Sequence, residues 1–436
     1  MSSGTAASDT SAPGENDGEP DDTAAAYDAI AKAAALLHGN GETTSVTQTA
    51  VERLNKGFGV STTLIPSWAS LQLTGGHGGA RSLRTIAAEP TVINMRRVAA
   101  AMKTIDRAED GRLLPAQVDQ ELDAARRRPA SNVFVFAFAC ATGASALSVI
   151  FGATHPLAIL LLAGSAAAAG FVRRGMGRIG FGLYSQAFVA ATIAGAVGAL
   201  AVSLDLSSAA RLVAVCPAMV LVPGPHVLNG ALDLAGMRIS LGLARLGFAA
   251  LTLLAIGAGV ILGLHLGGTD LPVVAAGHVV PIYADVIAAG IASASYPVYF
   301  SMPYRIIYWP VLIGMVAHGV RWVALYVWKL DIATSALIAC LIVGFALVPV
   351  ATRLRIPFAA IGFAAVVNLV PGVYVFRMLS GLTQVIAGTA TVHVLADTLT
   401  DGLTAFLIVL GMSVGLVVPM QLIAHFRALR ETRRAQ

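Results

Sequence analysis

From residue 133 onward the chain is a succession of apolar stretches, at 133–152, 154–172, 182–204, 209–236, 240–264, 272–301, 306–327, 332–350, 356–386 and 394–423. Most are long enough for a helix to cross a bilayer, which takes about 20 residues. Backbone polar groups in hydrocarbon must be satisfied within the protein, so closely spaced stretches of this kind fold as a bundle of spanning helices. With 56% of residues hydrophobic and 12% charged, an ordinary cytosolic globule is excluded.

Charge divides the chain. Residues 1–132 hold 13 basic and 16 acidic side chains, and the remainder holds 16 and 8. The net charge of +5 therefore comes from arginines in the short loops of the apolar part. It is a topological signal, and no nucleic-acid partner is expected. Arg126 to Arg128, Arg173, Arg174, Arg178, Arg238, Arg305, Arg353, Arg355 and the run from Arg427 to Arg434 fall on one side. Asp205, Asp270, Asp331, Asp397 and Asp401 fall on the other. The positive-inside rule then predicts that both termini are cytoplasmic.

Ahead of the spans, residues 1–22 read as a disordered acidic tail and not as a signal peptide. Residues 23–130 read as a cytoplasmic α+β domain. It has helices over 24–37 and 42–56, short strands within 59–88, and helices starting at Pro90 and at Pro115. Two membrane units follow, 131–265 and 270–425, and then a basic tail at 426–436. Cys140, Cys216 and Cys340 lie in apolar runs with no CxxC pair, so they are expected to be core residues, without a disulfide or a metal site. No GxSxG, P-loop or HExxH is present, and the glycines of 75–79 precede no Lys-Ser/Thr. The expectation is a protein that is not an enzyme and needs no cofactor. His38, Thr43, Ser45 and His77 are expected in capping or solvated roles.

A repeat emerges when residue i is set against i + 148. Leu221-Val222-Pro223-Gly224 falls on Leu369-Val370-Pro371-Gly372, and 133–152, 154–172 and 182–204 fall on 281–300, 302–320 and 330–352. Each unit has five spans. An odd number inserts the second copy from the opposite side, so the expected fold is α-helical and polytopic, about ten transmembrane helices as two inverted five-helix repeats behind a small α+β domain.

The fourth span cannot be one continuous helix. Pro217, Pro223 and Pro225 offer no N–H to the carbonyls of Val213, Met219 and Leu221. A break at that depth, and its repeat at Pro371-Gly372, either kinks the helix for packing or faces a cavity. In the second case a half-helix restarting at His226 or Val373 turns its positive end toward a carboxylate, while freed carbonyls suit an ammonium.

Ionisable groups at membrane depth cost roughly 2.5–3.5 kcal/mol each at the midplane, so those present are candidates for use. Asn229 and Asp233 share a face one turn past the first break. Asp233 is read as the partner of an ammonium or a proton, or more plainly as an interfacial partner of Arg238. Arg245 falls on His393 in the repeat, and each has a plain role at an interface. His278 and Asp285 are two turns apart, a spacing for a proton relay unless His278 still lies in the loop. His318 and Arg321 share a face, and Arg321 calls for a counter-charge such as Asp285 or Asp401. Asn368 and Tyr374 flank the second break, and Arg377 follows as a carboxylate contact or a solvated charge. The candidate substrate residues are thus Pro223, Gly224, Pro225, Asn229, Asp233, Asn368, Pro371, Gly372, Tyr374 and Arg377. The candidate proton carriers are Asp233, His278 and Asp285.

Four stretches carry a family likeness: HGNGETTSVTQTAVERLNKGFGV at 38–60, INMRRVAAAMKTID at 93–106, LVPGPHVLNGALDLAGMRISLG at 221–242 and RLRIPFAAIGFAAVVNLVPGVYVFR at 353–377. With these the chain resembles the threonine/serine exporter family. The resemblance implies a bacterial inner-membrane exporter of small hydroxy amino acids driven by the proton-motive force, and it carries over Pro223, Gly224, Asn229, Asp233, Pro371 and Gly372. Relatives split over two chains resemble dicarboxylate (succinate) exporters, which keeps that alternative open. A membrane-anchored regulatory or binding protein and a passive channel are the other readings. The expected partners are a small-molecule amino acid, protons and membrane lipid, and a homo-oligomer is open to such a chain.

Overall fold

The structure, a computed structural model, describes residues 20–77, 80–204, 206–269, 279–354, 356 and 358–435. The N-terminal unit begins with α1 (Pro20–Gly39) and α2 (Thr44–Phe58). The antiparallel sheet β1 (Thr62–Pro66), β2 (Ser70–His77) and β3 (Ala80–Ala87) follows, with β2 in the middle. Then come α3 (Met95–Glu109) and α4 (Pro115–Arg126). Ile30, Leu37, Leu54, Leu71, Leu73, Ile105 and Leu122 fill its core, each fully buried. Burying such side chains supplies most of the stability of a unit this small. Arg53 ties α2 to α3 through Asp106 and Glu109.

Helix α1 starts at Pro20 and not at residue 24, so residues 20–22 of the expected disordered tail are helical. Two further boundaries differ from the sequence expectation, each for a local reason. Helix α2 starts at Thr44 and not Glu42, because the Thr43 side chain accepts the Val46 N–H and so caps the helix. Thr43→Ala is expected to cost about 1 kcal/mol of stability, read by thermal unfolding. Helix α3 starts at Met95 and not Pro90, since residues 90–94 are used for docking. Asn94 makes no side-chain cap; the Met95 and Arg96 N–H groups instead donate to the carbonyls of Phe300 and Ser301, at 3.1 and 3.0 Å. Groups left open at the start of one helix and the end of another satisfy each other. Ser301 sits at φ 56° and is buried, and its hydroxyl accepts the Ser131 N–H at 2.9 Å, so this corner is held from three directions.

The apolar part comprises α5 (Val133–Ile150), α6 (Pro156–Arg178), α7 (Leu183–Ser203), α8 (Ser207–Met219), α9 (Gly224–Ala235) and α10 (Ile239–Leu266). After the loop come α11 (Ile282–Tyr299), α12 (Tyr308–Tyr326), α13 (Ile332–Leu354), α14 (Phe358–Val366), α15 (Gly372–Ile386) and α16 (Val392–Ala435). Among the described residues, seven helices are long and apolar enough to cross a membrane, and two bent pairs raise this to nine. The chain is a multi-pass membrane protein. The expected sixth span is represented by α11, which starts only at Ile282, after the Pro281 N-cap, and is outside the nine because Asp285 and its serines dilute its hydropathy; residues 272–278 of that span lie outside the described residues. The expected basic tail does not separate from α16, which runs on to Ala435; residues 1–19 of the expected acidic tail lie outside the described residues.

Helices α7 and α10 approach most closely. Gly195, Gly259 and Gly263 bring backbone against backbone, where a Cβ would meet carbonyl oxygens of the facing helix. Helix α5 packs on α11, the segment 148 residues later, with Thr142 Oγ1 and Ser295 Oγ 2.9 Å apart.

Candidate functional site

Both proline-glycine segments break their helices, and both bend the chain by 55°, between Leu212–Met219 and Gly224–Ala235 and between Ile361–Leu369 and Gly372–Ile386. Proline's missing N–H explains the opening, and glycine explains the closeness of what covers it. A Cβ on Gly224 would collide with the Phe363 ring of α14, and one on Gly372 would come 2.6 Å from the Met219 side chain of α8. Each restart is therefore roofed by the other half of the apolar part.

A cavity adjoins each break. The first, about 540 Å³, lies between the N-terminal unit and the bundle and is lined by Arg173, Arg174, Gln186, Pro223, His226 and Tyr299, among others. The second, about 290 Å³, is lined by Asp285, Arg321, Trp322, Asn368, Pro371 and Tyr374. Offset by 148, Arg173 corresponds to Arg321, Pro223 to Pro371 and His226 to Tyr374. Tyr299 lines the first from the far half, and Phe151, its counterpart, lines the second.

The N-terminal unit closes over the first break. The Asn229 Nδ2 donates to the Gly41 carbonyl at 3.1 Å, and the His226 Nε2–H to the Pro90 carbonyl at 2.7 Å. Asp233, 2% exposed, has Arg245 Nε at 3.1 Å and Arg238 Nη1 at 3.6 Å. Arg245 does not reach toward solvent: it is 1% exposed and faces Thr44 and Asp233. Arg238 reaches Gln48 at 2.6 Å. Above this pair lies Glu42, wholly buried, with Oε1 accepting the Thr43 N–H at 2.7 Å and Oε2 without a partner. Burial pushes its carboxyl up to about 7, the Arg245 charge opposing only in part. His38 is pushed down to about 4, chiefly by burial and then by Arg245, and so stays neutral.

At the second break the Asp285 carboxylate accepts from His318 Nδ1 at 2.7 Å and lies within electrostatic reach of Arg321. His278, its expected relay partner, lies outside the described residues. Asn368 Nδ2 donates to the Ala289 carbonyl at 3.1 Å. Arg377 pairs with Asp401 at 3.0 Å and is mostly buried, so it is not a solvated charge. Of the expected residues, Asn229 and Asp233 thus sit together under the N-terminal unit with Pro225 in the same half-helix; Asn368, Tyr374 and Asp285 share the second cavity. Sequence reasoning missed Glu42, whose surroundings belong to distant segments. It also missed Arg173 and Arg174, read there as loop charges.

Comparison with known families agrees with this architecture. A family model described as "Putative threonine/serine exporter" matches residues 28–267. The chain belongs to the threonine/serine exporter family. A second model of that family, "Threonine/Serine exporter, ThrE", matches residues 285–422. No curated protein and no solved structure matches the chain. The first family match runs unbroken from α1 to the end of α10, so the N-terminal unit and the first break fall within one exporter-family segment, and the second break falls in the other.

Proposed function

We propose that the protein is a secondary active exporter of small hydroxy amino acids, threonine and serine, from the bacterial cytoplasm. It works as two inverted five-helix repeats that rock about the paired breaks, driven by the proton-motive force. The observation that carries this reading is the pair of cavities, one beside each break, with corresponding residues on their walls and a lining aromatic exchanged between halves. A solute vestibule on each face is what alternating access requires. The arginine-rich loops support a cytoplasmic position for the N-terminal unit, both termini and the larger cavity.

In the form described here the N-terminal unit is seated on the first half-helix through Gly41 and Pro90. Release of Asn229 and Asp233 from Gly41 and Arg245 would free a carboxylate for the substrate ammonium, with Asp233, Asp285 and Glu42 available to carry protons. The positive ends of the repeat-related half-helices, which start at Gly224 and Gly372, lie beside the two cavities and favour an anionic solute there.

The test feeds cells a threonine-containing dipeptide and follows intracellular threonine. A deletion strain is expected to retain threonine, and the full chain to relieve this only while the proton gradient is intact. Relief that survives an uncoupler would point to a channel, succinate accumulation in its place to a dicarboxylate exporter, and relief by residues 1–130 alone to a regulatory protein.

A further inference from the structure

Three arginines line the larger cavity: Arg178 is exposed, while Arg173 and Arg174 lie deeper and, among the described residues, have no acid partner. Elsewhere in the apolar part buried arginines have carboxylates: Arg245 has Asp233, and Arg377 has Asp401. Among the described residues, no aspartate or glutamate lines the cavity that holds Arg173 and Arg174. Among the described residues neither makes an ion pair, and Arg173 Nη1 and Arg174 Nε are buried without any acceptor. Both guanidiniums are held in place all the same. Arg173 lies over the Tyr299 ring at 5.0 Å and Arg174 over Phe136 at 4.1 Å. Stacking on a ring face fixes the guanidinium plane and leaves its N–H fork unspent.

We propose that this cavity is a carboxylate site in which Arg173 and Arg174 hold the carboxylate of the solute to be exported. The proposal rests on reading the cavity as the cytoplasmic vestibule and names the chemistry of what enters it. Buried donors without acceptors are costly in an empty site and strong in a filled one, because charge-assisted bonds gain where water is excluded. Across the cavity His226, 6% exposed, gives its Nε2–H to the Pro90 carbonyl, which leaves Nδ1 as an acceptor with no partner. An acceptor facing two cationic forks suits a solute with a carboxylate at one end and a hydroxyl or ammonium donor beside it. The 540 Å³ volume admits such a solute with water to spare. In the second cavity the corresponding Arg321 already has Asp285 near it, so the carboxylate would be held less firmly there.

The experiment measures equilibrium binding of radiolabelled threonine to the full-length protein in nanodiscs, with succinate and threoninamide as competitors. Threonine is expected to bind and succinate to compete, while threoninamide, which lacks the carboxylate, does not. Arg173→Gln with Arg174→Gln should weaken binding by more than about tenfold. The Arg173→Lys and Arg174→Lys pair keeps the charge without the fork and should lose less, which separates a lost anchor from a lost fold. Unchanged threonine binding in the Gln pair, or equal competition by threoninamide, would overturn the proposal. So would an anionic lipid retained by the wild type in native mass spectrometry and shed by the Gln pair with threonine binding intact. If binding behaves as expected but the same protein in liposomes exports nothing, the export reading fails and the site stands.

Discussion

Asp233→Asn is expected to abolish export and to lower the melting temperature of the purified protein. The carboxylate is 2% exposed and shares its surroundings with a guanidinium that is 1% exposed. Removing one partner of a buried pair leaves the other charge uncompensated, at a cost of about 3–5 kcal/mol. Among the described residues the acid left acting on Arg245 would then be Glu42, itself a carboxyl raised by burial, with the Arg238 charge opposing. Stability and transport are separable in the charge-free pair Asp233→Leu with Arg245→Met, since replacing both members of a buried pair by apolar groups is commonly neutral. The expected outcome is a restored melting temperature with export still absent. Full export by that double variant would remove Asp233 from the mechanism.

The second large effect belongs to helix packing. Gly263→Val is expected to prevent accumulation of folded protein, because its Cβ would fall against the Thr192 carbonyl and within 2.6 Å of the Ala196 nitrogen on α7. Overpacking of this kind costs about 1–3 kcal/mol where side chains can move, and here the obstacle is backbone. Gly247, on the exposed face of the same helix, has nothing within 4 Å of the corresponding position. Gly247→Ala should therefore be tolerated, and yield and melting temperature of the two variants measured side by side check the contrast.

What the sequence discloses follows the range of the interactions. The proline-glycine breaks are local chemistry, and both appear where residues 223–225 and 371–372 require them. The helices and strands of the N-terminal unit are likewise written in short-range pattern; the start of α2 is shifted by the local Thr43 cap, and the start of α3 by tertiary contact. Helix α3 starts late because Pro90 and Asn94 serve the seam with the membrane part. The membership of the sites is less legible. Asp233 reads as a partner of an ammonium or a proton, or of Arg238, which lies 3.6 Å away, but its closer partner Arg245, twelve residues on, is seen only once it is found folded back against it and not toward solvent. Arg377 and Asp401 are far apart in sequence and meet only because α15 and α16 pack together. Arg173 and Arg174 obey the positive-inside rule, and that bland account is complete until a cavity without acids is seen around them. Glu42 lies in a loop of small polar residues, and nothing local in the sequence signals that it is wholly buried with the Arg245 charge of α10 in reach.

The seating of the N-terminal unit adds a constraint on transport. The half-helix α9 is bonded through its first and second turns to Pro90 and Gly41, so movement of the break and movement of the unit are mechanically linked. Truncation of residues 1–130 would also remove the Met95 and Arg96 N–H donors of α3 and so leave the Phe300 and Ser301 carbonyls without them.

The central claim, coupled movement of solute through alternating vestibules, is tested most directly by efflux of radiolabelled threonine from proteoliposomes containing the purified full-length protein. Efflux that rises when a pH gradient is imposed, collapses with a protonophore and is lost in Asp233→Asn is the predicted result. Efflux at the same rate with and without the gradient, or undiminished in Asp233→Asn, would contradict it.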